Sequence, residues 1–217
     1  MTRYDNVNVV LFDFGGVIAE EGFRDGLELL ATQQGLNPQE MFSEGMCAAY
    51  ESGYVLGTGT ETNFWDQMRR RTGLQGSDID LTETILARFV IRPWMVNLVN
   101  KLNQHGYRTA ILSDQTDWLD RLDARQHFMR LFADVFVSYR LGKGKRDASI
   151  FKDIAGYLAM APHDLLFIDD DRGNIERAAA CGWNALLYED RTQLERELAP
   201  LFEATREKPT TRVGSSE

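Results

Sequence analysis

The sequence is poor in the residues that staple a chain or ligate transition metals. Of 217 residues only two are cysteine and three are histidine. Cys47 and Cys181 lie far apart, form no metal-binding spacing and suit a reducing compartment. His105, His127 and His163 are scattered without ligand spacing and read as surface residues. Positive charge is also short: 24 Lys and Arg face 33 Asp and Glu, a formal net charge of -9. That balance argues against non-specific nucleic-acid binding, which needs basic patches to neutralise phosphates. No apolar run approaches the roughly 20 residues that span a bilayer. The opening Met1-Thr2-Arg3-Tyr4-Asp5-Asn6 lacks the apolar segment and cleavage site of a signal peptide. A cytoplasmic protein without membrane or nucleic-acid partners, monomeric or homodimeric, is expected. No repeat of fixed period is visible.

What the chain has is an apolar run that ends in a carboxylate. Val9-Val10-Leu11-Phe12 leads into Asp13, and Phe14-Gly15-Gly16-Val17-Ile18 follows. Such a run reads as a buried strand of a parallel sheet, with Asp13 at its carboxyl end. Open α/β sheets place their ligand crevice at that end. An isolated buried carboxylate there would cost several kcal/mol or more, so it needs a partner, and Mg²⁺ is the expected one. Taken alone, Asp13 would equally serve as a turn former after a strand.

Residues 21–90 carry apolar positions at helical spacing and no convincing strand. Asn37-Pro38 marks one helix start, and Thr60 or Thr62 another. The character changes after residue 90. A helix from Pro93 precedes a strand Tyr107–Leu112, which delivers Ser113 and Asp114. Further strands are expected at Asp134–Ser138, at Asp164–Ile168 ending in Asp169-Asp170-Asp171, and at Trp183–Tyr188, each separated from the next by a helix. Alternation of this kind implies right-handed crossovers and a parallel sheet covered on both faces. The expected fold is therefore α/β, a Rossmann-like doubly wound parallel sheet with an inserted helical cap domain. Residues 1–20 and 91–204 form the core, 21–90 the cap, and the polar 205–217 a disordered tail.

Asp13, Ser113, Lys145 and the Asp169-Asp170 pair all fall at strand ends or just beyond, on one rim of such a sheet. Carboxylates there suit a hard cation that also takes a substrate phosphate. A lysine and a serine hydroxyl suit phosphoryl oxygens. The plainer readings are a helix cap for Ser113, a solvated loop for Lys145 beside Lys143, and attraction of the acidic run to a helix N-terminus.

The constellation resembles the haloacid dehalogenase superfamily over nearly the whole chain. The family's nucleophile motif is matched by Phe12-Asp13-Phe14-Gly15-Gly16-Val17, and its serine motif by Ile111-Leu112-Ser113-Asp114. Its lysine motif is matched by Gly142-Lys143-Gly144-Lys145-Arg146-Asp147 with Ile150-Phe151, and its acidic pair by Phe167-Ile168-Asp169-Asp170 with Asn174. The insert between the first two motifs corresponds to the family's type-one cap. Its tract Glu51–Tyr54 through Thr60–Trp65 is similar to caps of the small sugar-phosphate phosphatase branch.

The resemblance implies a Mg²⁺-dependent phosphatase acting on a small phosphorylated metabolite. Asp13 would form an aspartyl-phosphate, with Ser113 and Lys145 holding the phosphoryl group and Asp114 beside them on the substrate. Asp13, the Gly15 carbonyl, Asp169 and Asp170 would hold the metal. One departure stands out: relatives commonly carry a proton-transferring aspartate where this chain has Gly15. Asp114, Glu20, a cap residue or the substrate would have to substitute. Asp114 and Arg146 also depart from the family's usual asparagine and proline. The alternatives are a 2-haloacid dehalogenase, compatible with Gly15, and a catalytically weakened binding or regulatory protein.

Overall fold

A computed structural model of the chain describes residues 4 and 6–203. The expected tail at 205–217 lies outside the described residues. Five parallel strands form one sheet in the order β3-β2-β1-β4-β5. They are β1 (Val9–Phe12), β2 (Arg108–Ser113), β3 (Asp134–Val137), β4 (Leu165–Asp169) and β5 (Asn184–Leu187). The expected doubly wound sheet is thus present, with β1 in the middle.

Alternation along β1 divides the core between the two faces of the sheet, because successive side chains of a strand point to opposite sides. Val10 and Phe12 join Ile111, Leu166 and Ile168 in one apolar cluster. Val9 and Leu11 join Leu112, Phe167, Phe151 and Ile154 in the other. All four β1 residues are fully buried, which explains why this strand reads as a continuous apolar run.

Between β1 and β2 the chain forms α1 (Gly22–Gln33), α2 (Pro38–Glu51), α3 (Glu61–Thr72), α4 (Asp78–Leu86) and α5 (Pro93–Gln104). Asn37 caps α2, with Pro38 in its first turn. Thr60, rather than Thr62, caps α3 through a reciprocal pair with Asn63. The α1–α4 block leaves and rejoins the sheet domain through adjacent segments. Ala19 bridges both Gly15 and Ile91, Glu20 N donates to Val90 O at 2.9 Å, and Arg92 N donates to Ile18 O at 3.0 Å. The arginine run at the end of α3 is held in ion pairs, Arg69 with Asp78 and Arg71 with Glu44 and Glu51.

The remaining helices are α6 (Trp118–Gln126), α7 (Ser138–Leu141), α8 (Ser149–Leu158), α9 (Arg172–Ala180) and α10 (Arg191–Glu203). Polar contacts tie the helical block to the sheet domain. Tyr54 hydroxyl donates to Asp117. Glu61 accepts from Trp118 at 2.7 Å and from both arms of Arg121 at 2.9 and 3.1 Å. Phe64 and Trp65 pack in the apolar core with Tyr54 and Trp118. No helix among the described residues is long and apolar enough to cross a membrane.

Candidate active site

The carboxyl ends of β1, β2 and β4 share one rim because the strands are parallel and in step, Phe12 opposite Ile111 and Ile168. Asp13, Ser113 and Asp169 therefore arrive at one point from positions far apart in sequence. The amide of Asp13 extends the ladder by donating to Ile168 O at 2.9 Å. Asp13 Oδ1 accepts from the following amide, Phe14 N, at 2.7 Å, and this orients the carboxylate. Ser113 lies within hydrogen-bonding reach of the same group.

Lys145 is the centre of the cluster and is only 2% exposed. Its Nζ stands 2.9 Å from Asp13 Oδ2 and 2.6 Å from Asp169 Oδ2. Burial opposes the lysine's charge, but Asp13 and Asp169 outweigh it and hold the ammonium well above the ordinary lysine value. A charge so placed is available for phosphoryl oxygens without the cost of bringing in a flexible surface side chain. Lys143, its neighbour in the loop, is instead on the outside, paired with Asp153 at 2.5 Å.

The acidic pair divides into two roles. Asp169 is fully buried, with Oδ2 accepting from Lys145 and from Asn174 Nδ2 at 3.0 Å, and Oδ1 accepting from Asp171 N at 2.7 Å. Asp170 is exposed at the rim. Asp13, Asp169 and Asp170 each offer an oxygen within 4.8 Å of the others, close enough to share one cation. Asp170 approaches the loop after β1 so closely because Gly16 has no side chain. Gly16 has φ of +76°, and a Cβ there would fall on the Asp170 carboxylate.

Asp114, expected against substrate, is engaged by protein groups. It accepts from Lys145 N at 2.9 Å and from the Tyr50 hydroxyl of α2 at 2.6 Å, so it braces the lysine loop against the helical block. Glu20, considered as a proton carrier, is corrected by the structure. It pairs with Arg92 at 2.6 Å, and that hydrogen bond holds its carboxyl below the usual range.

These groups open onto a cavity of about 290 Å³ lined by Asp13, Gly15, Ser113, Lys145 and Asp170 on the sheet side. Phe42, Met46, Ala49 and Tyr50, one face of α2, line the other side, and none of the three histidines reaches it. Arg24 and Arg146 also line it, each laid over a ring of α2, Phe42 at 3.7 Å and Tyr50 at 3.8 Å. Glu21, which sequence reasoning missed, is on the same wall. Burial, reinforced by Asp170 and Asp13, pushes its carboxyl up to about 7. Glu20 and Glu21 are indistinguishable along the chain; only Arg92 tells them apart in space.

An α/β sheet with a carboxylate at the end of its central strand, a buried lysine beside it and an acidic rim is the arrangement of a class of hydrolase. The comparisons agree. The family model for haloacid dehalogenase-like hydrolases matches residues 7–182, and the chain belongs to that family. Flavin mononucleotide hydrolase 1 of Arabidopsis thaliana is 23% identical over 139 residues, 63% of this chain and 57% of that protein. The chain thus spans little more than half the length of this relative. A haloacid dehalogenase-family enzyme of Bacteroides thetaiotaomicron, BT-2542, solved with magnesium and inorganic phosphate, superposes with a TM-score of 0.67 at 21% identity, covering 87% of this chain and 98% of that one. The L-2-haloacid dehalogenase of Xanthobacter autotrophicus, solved with chloropropionic acid covalently bound, gives 0.62 at 17% identity, covering 94% of this chain and 90% of that one.

Proposed function

We propose that the protein is a Mg²⁺-dependent phosphatase of a small phosphorylated metabolite. The observation that carries this reading is the buried Lys145 held between Asp13 and Asp169, with Asp170 near enough to share a cation with Asp13. A carboxylate attacks a phosphate dianion only if cations neutralise their repulsion. Lys145 supplies one such charge. Asp13 and Asp170 would hold Mg²⁺, which supplies the second and polarises phosphoryl oxygen. Three acidic groups beside a single lysine fit a divalent ion in number and charge. Asp169, its oxygens already committed, would serve chiefly to hold Lys145.

In this reading Asp13 attacks phosphorus and becomes an aspartyl-phosphate, which water then cleaves. Ser113 and Lys145 orient the phosphoryl group. Residues 21–90 act as the cap whose α2 face lines the cavity opposite the sheet. A sugar phosphate is the finer possibility, and BT-2542's magnesium and phosphate are compatible with the general reaction.

The acidic rim disfavours the dehalogenase reading, because uncompensated negative charge repels a haloacid carboxylate. The test is phosphate release from p-nitrophenyl phosphate and a metabolite panel, with and without Mg²⁺. Release should require the metal and vanish in Asp13→Asn. Folded protein that releases no phosphate from any ester, or halide release that persists in EDTA, would overturn the proposal.

A further inference from the structure

The phosphatase reading leaves one gap: residue 15 has no side chain, so the position from which relatives move protons is empty. We propose that Glu21 performs those proton transfers from the far side of the same space, an inference that rests on the phosphatase reading. Position carries the assignment. An ideal Cβ built on Gly15 lies 3.1 Å from Glu21 Oε2 and 3.4 Å from Phe89 Cε1. The Glu21 carboxyl therefore fills the volume into which a residue-15 side chain would project.

Its backbone is fixed where the helical block leaves the sheet domain. Glu20 N donates to Val90 O at 2.9 Å, Asp25 N to Glu21 O at 3.1 Å, and Glu21 Oε1 accepts from Arg24 N at 3.4 Å. Glu21 Oε2 has no hydrogen-bond partner among the described residues. Of the other acidic groups near the cavity, Asp13 and Asp170 are already assigned in the phosphatase reading to attack and to the cation, and the rest are bonded to protein groups. Glu20 is bound to Arg92, Asp114 to Tyr50 and Lys145 N, and Asp169 to Lys145, Asn174 and Asp171. Asp171 caps α9 through Asn174 N at 2.8 Å.

The proton balance closes. In the first step Asp13 Oδ forms a bond to phosphorus, the ester P–O bond breaks, and the Glu21 carboxylic acid gives its proton to the departing oxygen. In the second, water adds to phosphorus, its proton returns to the Glu21 carboxylate, and the P–O bond to Asp13 breaks. Inorganic phosphate leaves and both side chains are restored.

The experiment compares leaving groups. Glu21→Gln should lower kcat/KM for alkyl phosphates by about 10²–10⁴-fold, the usual worth of positioned acid-base help. It should lower kcat/KM for p-nitrophenyl phosphate by less than about tenfold, since nitrophenolate departs without a proton. Phosphoryl label should accumulate on Asp13 in acid-quenched samples, because the second step has lost its base. The geometry allows a swap. Gly15 is outside the left-handed region, so Gly15→Asp combined with Glu21→Ala should recover at least about tenfold of the loss seen in Glu21→Ala alone. A merely structural role would depress both substrate classes equally and would not be rescued. Equal losses, absence of rescue, or unchanged alkyl-phosphate turnover in Glu21→Gln would overturn the assignment while leaving the phosphatase reading intact. A wild-type chain that turns over no phosphate ester would instead remove the phosphatase reading, and this inference with it.

Discussion

Replacing Lys145 by methionine isolates the interaction that organises the site. The substitution conserves volume and length but removes the charge shared by Asp13 and Asp169. At 2.9 and 2.6 Å each pair is attracted by roughly 6 kcal/mol at an effective dielectric near 20, most of it offset by desolvation. What the variant exposes is the offset: two carboxylates in a buried site without a cation. Breaking a buried pair from one side costs about 3–5 kcal/mol. Asp169 keeps its bonds from Asn174 and Asp171 N, which points to the lower part of that range. In a chain of this size the loss corresponds to a fall in Tm of roughly 6–20 °C.

The assay is urea unfolding in EDTA, followed by circular dichroism. Burial already holds the Asp13 and Asp169 carboxyls above their unfolded values in the wild type, and the variant, without the lysine's opposing charge, raises them further. Their contribution is then greatest below about pH 4 and is lost as pH rises through the folded values. The gap to wild type should therefore narrow on acidification from pH 7 to 5. The wild-type lysine has its folded value raised, so its contribution is complete below about 10.4 and is lost only above that. Between pH 7 and 9 the gap should be flat. Lys145→Met/Asp169→Asn, which removes one stranded charge, should regain about 1–3 kcal/mol. A loss below about 1 kcal/mol in Lys145→Met, or a double variant less stable than the single, would refute the reasoning.

Two further expectations follow from the same geometry. Gly16→Ala forces a side chain into a φ of +76° at a cost of roughly 1–2 kcal/mol and displaces Asp170. Its thermal unfolding should drop, and the stabilisation that Mg²⁺ gives the wild type should shrink; an undiminished Mg²⁺ response would contradict Asp170's placement. Glu21 has its folded value raised to about 7, so its stabilising contribution is full below about pH 4.3 and is lost as pH rises through 7. In EDTA, Glu21→Gln should gain stability relative to wild type between pH 5 and 8, by on the order of 1–3 kcal/mol. Denaturant midpoints at the two pH values check it, and parallel curves would contradict it.

Much of this protein was legible without coordinates, because the information lies in short stretches of chain. The run Val9–Phe12 is apolar on both faces since helices cover both sides of the sheet, and that alone marks a central parallel strand. Strand polarity then places Asp13, Ser113 and Asp169 on one rim, for parallel strands bring their carboxyl ends together wherever they fall in sequence. Lys145 was separable from Lys143 only through the family resemblance, whose lysine motif fixes its spacing to Asp147 and Ile150-Phe151.

Tertiary structure alone decided how those groups divide their work. Nothing local distinguishes Asp169, sealed around Lys145, from Asp170, open at the rim. The contact of Tyr50 with Asp114 joins residues 64 apart in sequence, and that of Arg92 with Glu20 joins residues 72 apart. Those contacts tie Asp114 down within the cavity wall, turn Glu20 away from it, and leave Glu21 facing the space beside Gly15. Periodicity and motif spacing record which way a backbone runs; which carboxylate keeps a cation and which stays free depends on neighbours that meet only after the helical block has folded back onto the sheet.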